Sequence, residues 1–121
     1  MSFKLAVTPD FSALINAEIP ADNGRAQKVS FHVRFKRLST TEFEAMVNGI
    51  NAKDENGNRT IQDQDIVDQV LTGFGDDLQD DNGNPLEFTP GNVAALCDVH
   101  PLRSHIVQGF FDNYVKAKAK N

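Results

Sequence analysis

Along residues 28–38, Val29, Phe31, Val33 and Phe35 alternate with Ser30, His32, Arg34 and Lys36. A period of two with one apolar and one polar side is the pattern of a strand that buries one face. The same alternation runs through Ala13, Ile15, Ala17 and Ile19 against Ser12, Asn16 and Glu18, until Pro20, with no N–H to give a ladder, ends it. Phe3, Leu5 and Val7 against Lys4, Ala6 and Thr8 predict a further strand over 3–8, closed by a turn at Pro9 and Asp10. Residues 21–27 are small or polar and carry the turn dipeptide Asn23-Gly24, so the strands over 12–19 and 28–38 pair antiparallel through a loop. The expectation is a three-stranded meander from 3–8, 12–19 and 28–38, its polar face partly basic through Arg34, Lys36 and Arg37.

The period changes after Leu38. Ser39 and Glu42 have capping-box spacing, and Phe43, Met46, Val47 and Ile50 follow at i, i+3, i+4 and i+7, which predicts an amphipathic helix. Residues 51–59 are nearly all polar and predict a solvated loop. Thr60 with Asp63 is positioned to cap a second helix whose apolar stripe is Ile66, Val67, Val70, Leu71 and Phe74, broken by Gly73 and Gly75. A polar excursion over 76–84 ends in Asn82-Gly83. Thr89 before Pro90 opens a third, short helix with Val93, Leu96 and Cys97 on its buried side, since proline in the first helical position loses no bond. His100-Pro101 separates it from the last helix. There Leu102, Ile106, Phe110 and Tyr114 form one i+4 ridge, and Val107, Phe111 and Val115 form a second. At about 100° per residue the two ridges together span roughly 220°, against the stripe of about 100° that a surface helix buries. If one ridge suffices for the core, Val107, Phe111 and Val115 are free to meet a partner or a second copy of the chain. Strands followed by helices, not alternating with them, define an α+β class. The whole of 1–121 reads as one domain: a β-meander over 1–38, a helical part over 39–116 and a flexible basic tail over 117–121.

With 121 residues and 40% hydrophobic content the chain can bury one modest core. A formal charge of −5 disfavours general binding to nucleic acid or anionic membranes. The single cysteine, Cys97, has no partner for an internal disulfide, the first residues lack the apolar core of a signal peptide, and no run approaches a membrane span. These features suit a protein of a reducing cytoplasm.

Candidate chemistry is sparse. Cys97-x-x-His100 is half of a zinc site without a second half, and Cys97 falls at apolar helical spacing with Val93, where a buried thiol packs as a small hydrophobe. Asp54 and Asn56 before Gly57, and Asp80 and Asn82 before Gly83, resemble calcium loops. The first ligand position is nevertheless Ala52 or Leu78, and the twelfth is Asp63 or Thr89, so Asx-rich turns account for both. His32, Arg34, Lys36 and Arg37 lack aromatic residues on their side of the strand, because Phe31 and Phe35 point the other way, so no base-stacking track forms. No phosphate loop, nucleophile elbow or H-E-x-x-H is present. No catalytic residue, metal ligand or cofactor is expected.

The order of segments resembles the tail assembly chaperones of long-tailed, siphovirus-type bacteriophages. The residues that carry the resemblance are Phe35, Lys36, Arg37, Leu38 and Ser39 running into Glu42 and Phe43. They continue with the helix over 65–74, the stretch Asp81, Asn82, Gly83, Asn84, Pro85, Leu86, Glu87, Phe88, Thr89, and a closing helix that ends in lysines and Asn121. Phe74 stands where that family commonly has a tryptophan. The resemblance implies a non-enzymatic protein of the bacterial host cytoplasm that binds the tape-measure protein and recruits major tail-tube subunits during assembly. A second class, a small structural tail or neck component retained in the virion, fits the same residues.

Overall fold

The computed structural model describes residues 8–119, with side chains through Asn113. Two long strands, β1 (Asp10–Pro20) and β2 (Ala26–Lys36), form an antiparallel hairpin in unbroken register from Asp10 opposite Lys36 to Pro20 opposite Ala26. A tight turn over Asp22–Gly24 joins them, with Asn23 and Gly24 both at positive φ (62° and 74°), the conformation that Asn-Gly supplies at least cost. Alternation holds as read: Ala13, Ile15, Ala17, Phe31, Val33 and Phe35 are buried, and Ser12, Asn16, Glu18, Lys28, Ser30, Arg34 and Lys36 are exposed.

α1 (Thr40–Asn51) starts with both halves of the expected capping box, Glu42 N–H donating to Ser39 Oγ at 3.1 Å and Ser39 N–H donating to Glu42 Oε1 at 3.0 Å. α2 (Asp63–Val70) starts later than the predicted cap. Gln62 N–H donates to the Asp65 carboxylate at 2.8 Å, while the Thr60 hydroxyl donates to the Gly49 carbonyl at 2.6 Å and so ties the loop to α1 instead of capping α2.

The third strand of the described sheet is not one that the sequence reading named. Residues 3–7 lie outside the described residues, and the strand beside β2 is β3 (Leu71–Phe74), which the periodicity assigned to the end of the second helix. Leu71 and Phe74, three apart, have helical spacing, and a strand can bring them to one face only through an irregularity. Thr72 and Gly73 are poor helix formers, and the free edge of β2 offers ladder partners that another half-turn of helix would forfeit. Val33 pairs with Phe74, Arg34 with Gly73 and Phe35 with Leu71, so Thr72 is the extra residue of a β-bulge. The sheet is antiparallel, of order β1-β2-β3, and the class is α+β as expected.

α3 (Pro90–Cys97) is capped by Thr89, whose Oγ1 accepts the Asn92 N–H at 3.1 Å, and α4 (Leu102–Ala119) follows. Because α4 extends through Ala119, residues 117–119 of the expected flexible tail are helical; Lys120 and Asn121 lie outside the described residues. α4 crosses β1 closely, since a Cβ at Gly109 would run into Ile15 Cδ1. α4 also packs on α2, so one core forms between the sheet and the helices, centred on Ile15, Val33, Phe35, Ile66, Ile106 and Phe110.

Candidate functional site

The over-wide stripe of α4 has a structural explanation over part of its length. Leu102, Ile106 and Phe110 are buried, and Phe110 meets Phe35 edge-on at 5.3 Å, Phe11 at 6.5 Å and Phe43 at 6.4 Å between ring centroids. Such aromatic pairs contribute about 0.5–1.5 kcal/mol each beyond the area they bury. On the second ridge Val107 is only 8% exposed and belongs to the core formed where α4 packs on β1, α2 and α3. Its expected role as a free partner contact is corrected accordingly. Phe111 is half-buried, edge-on to Phe43 at 5.8 Å and to Phe110 at 5.3 Å, so it sits at the rim of the aromatic cluster. The side chain of Val115 lies outside the described residues.

Another apolar surface was not singled out by the sequence. Phe88 is 42% exposed and stands edge-on to Phe74 at 5.0 Å. Phe74 itself is half-buried at the end of β3, so the pair forms an aromatic step from the core to solvent. Val99 and Leu14 are the other large exposed apolar residues among those described. The available signals were an aromatic just before the Thr89 cap and, for Leu14, a bulky apolar residue on the polar phase of a strand.

The groups with chemical potential are already engaged. The Arg34 guanidinium meets Asp10 at 2.6 Å, Lys36 meets Glu42 at 3.5 Å, and His32 meets Asp77 at 2.7 Å. The Arg37 Nε–H donates to the Thr8 carbonyl at 2.8 Å, with its guanidinium 5.5 Å from the Phe11 ring centroid. Hydrogen bonds from the His32 backbone and ring hold the Asp77 carboxyl below its ordinary value. The hydrogen bond from Arg34 does the same for Asp10. The basic strand face is therefore a lattice of local ion pairs, not an open track for phosphates.

Cys97 is half-buried, and burial pushes its thiol up, away from the thiolate a nucleophile or metal ligand needs. It shares a shallow surface depression with Asp63, Asp98, His100 and Arg103, while the His105 Nδ1 hydrogen bonds to the Pro101 carbonyl at 3.0 Å. Among the described residues no group of three or more His, Cys, Asp or Glu side chains is placed to hold a metal ion. In the two Asx-rich loops, one oxygen of Asp54 accepts from the backbone of Asn56 and Asn58, and one oxygen of Asp80 accepts from Asn82 and Asn84. Those oxygens serve the loops themselves. No helix among the described residues is long and apolar enough to cross a membrane.

A rigid α+β scaffold whose distinguishing surface features are aromatic rims is the build of a protein-binding module. The comparison with known families places it more narrowly. A family model described as phage tail assembly chaperone matches residues 1–121, the whole chain, and the chain belongs to that family. No curated protein and no solved structure matches it.

Proposed function

We propose that this tail assembly chaperone binds the tape-measure protein and brings major tail-tube subunits to it in the cytoplasm of the infected host, without catalysing a reaction and without remaining in the finished virion. The observation that carries the reading is the exposed Phe88 ring on its Phe74 support, in a chain whose full length matches the family. A long apolar client needs shielding before it assembles, and a ring held rigidly at the surface gives it a hydrophobic anchor at little entropic cost. Phe111 at the rim of the aromatic cluster is the second proposed contact, and Val107 is not one.

Co-expression with the neighbouring tape-measure protein and co-purification tests this. Phe88→Asp is expected to abolish recovery of the complex with a melting temperature close to that of the parent, and Phe111→Asp to weaken it. Full binding by both variants would remove these surfaces from the proposal. Mass spectrometry of purified virions that finds the protein at stoichiometric amounts would instead make it a retained tail component.

A further inference from the structure

The two edges of the sheet are built differently. On the β3 side the edge is blunted: β3 is four residues long, carries the bulge at Thr72, and gives way to the Asp77 carboxylate, which accepts the His32 N–H at 2.8 Å while Gly75 N–H donates to the His32 carbonyl at 2.8 Å. Those two bonds also fix the phase of the hairpin. His32 turns its backbone groups away from β1, so His32 and Leu14, directly opposite each other, are a pair without mutual hydrogen bonds. Leu14 therefore turns its own N–H and C=O outward, and by the period of two so do Ser12, Asn16 and Glu18. Among the described residues nothing pairs with this outer edge of β1. Its first carbonyl, that of Asp10, is covered by the Thr8 hydroxyl at 2.8 Å.

Edges that must stay single are usually protected by lysine, proline, a bulge or shortness. β1 has eleven residues, an unbroken register, and neither lysine nor proline between Asp10 and Glu18, and its outward-facing set carries Leu14 at 48% exposure.

We propose that this edge pairs with the same edge of a second copy of the chain, antiparallel about a two-fold axis at Ile15. The strand is self-complementary in that register. On the core face Ala13, Ile15 and Ala17 form a palindrome, so Ile15 meets Ile15 of the second copy and Ala13 meets Ala17. On the outer face Leu14 lies opposite Asn16 and Ser12 opposite Glu18, with no like charges facing each other. The result is a six-stranded sheet of order β3-β2-β1-β1-β2-β3 whose two remaining edges are the blunted ones. A two-fold pair closes on itself, whereas a single client strand docked on β1 would leave a new open edge behind it.

Sedimentation equilibrium of the intact chain is expected to give a dimer, with the amides of Leu14 and Asn16 slow to exchange with deuterium. Asn16→Pro removes an N–H that no described residue of the same copy accepts, so it is expected to yield a folded monomer with an unchanged circular dichroism spectrum. Leu14→Lys, a second route that leaves the backbone alone, raises the dimer dissociation constant about tenfold or more by placing an edge charge in the pair. A monomeric parent at the highest soluble concentration overturns the proposal, whether or not those amides are protected. So does a dimer that survives both substitutions.

Discussion

Residues 52–60 and 78–86 fold into the same loop, yet the helices that follow them are used differently. In the first loop Asp54 N–H donates to the Asn58 carbonyl at 2.7 Å, Gly57 N–H to the Asp54 carbonyl at 3.0 Å and Thr60 N–H to the Ala52 carbonyl at 3.2 Å. In the second, Asp80, Gly83 and Leu86 repeat these bonds to Asn84, Asp80 and Leu78 at 2.8, 3.0 and 2.8 Å. Each glycine sits at the same positive φ, 81° at Gly57 and 80° at Gly83, a conformation that a side chain opposes. The shared sequence Asp-x-Asn-Gly-Asn accounts for the shared shape, because every bond in it is local. An eight-residue helix follows in both cases. α2 buries Ile66, Val67 and Val70 and leads straight into β3, while α3 buries Leu96 alone, with Val93 and Cys97 half-covered. Local chemistry built the same device twice, and position in the fold made one copy central and the other peripheral.

The difference is sharpest for core truncations. Ile66→Ala is expected to cost about 4 kcal/mol and Leu96→Ala about 2 kcal/mol, because the α2 site is closed on all sides and cannot collapse into its cavity. Urea unfolding of the two variants checks this, and equal losses would mean that α3 is as central as α2. The loops predict the reverse relation. Asp54→Ala and Asp80→Ala each remove two hydrogen bonds from exposed backbone N–H groups that water can then take, and are expected to cost the same, about 0.5–1.5 kcal/mol, in the same urea assay. Gly57→Ala and Gly83→Ala should match each other at about 1 kcal/mol through strain at positive φ. A large disparity within either pair would show that the loops are shaped by their surroundings.

The smallest effect separates the two units by pH. Asp77 precedes the second loop and clamps His32, whereas Asn51 holds the equivalent place before the first. The Asp77 carboxyl is held below its ordinary value of 3.8, so its contribution is complete above that value and is lost as pH falls through the lower native one. Amide exchange in residues 75–86 should therefore rise on acidification before exchange in 52–60 does. Asp77→Asn should remove that lag, because the amide does not titrate.

Several features were legible in the sequence because their causes are local. The alternation in β1 and β2 survived intact because each apolar residue of a hairpin must face the same way as its second neighbour. The Ser39 and Glu42 capping box, the Thr89 cap with Pro90 after it, and the inward Leu102, Ile106 and Phe110 ridge depend on neighbours within a few residues.

What needed the tertiary structure is whatever was decided by a partner far along the chain. Leu71 and Phe74 have helical spacing, yet the free edge of β2 offered hydrogen bonds that a helix could not use, and the bulge at Thr72 brought both side chains to the core face. Val107 carried the spacing of a free ridge, and only the packing of α4 into the core enclosed it. That Phe88 and Leu14 stand 42% and 48% exposed is visible only in the fold. Periodicity states which residues share a face, but whether that face is covered depends on long-range packing, which no window of local sequence contains.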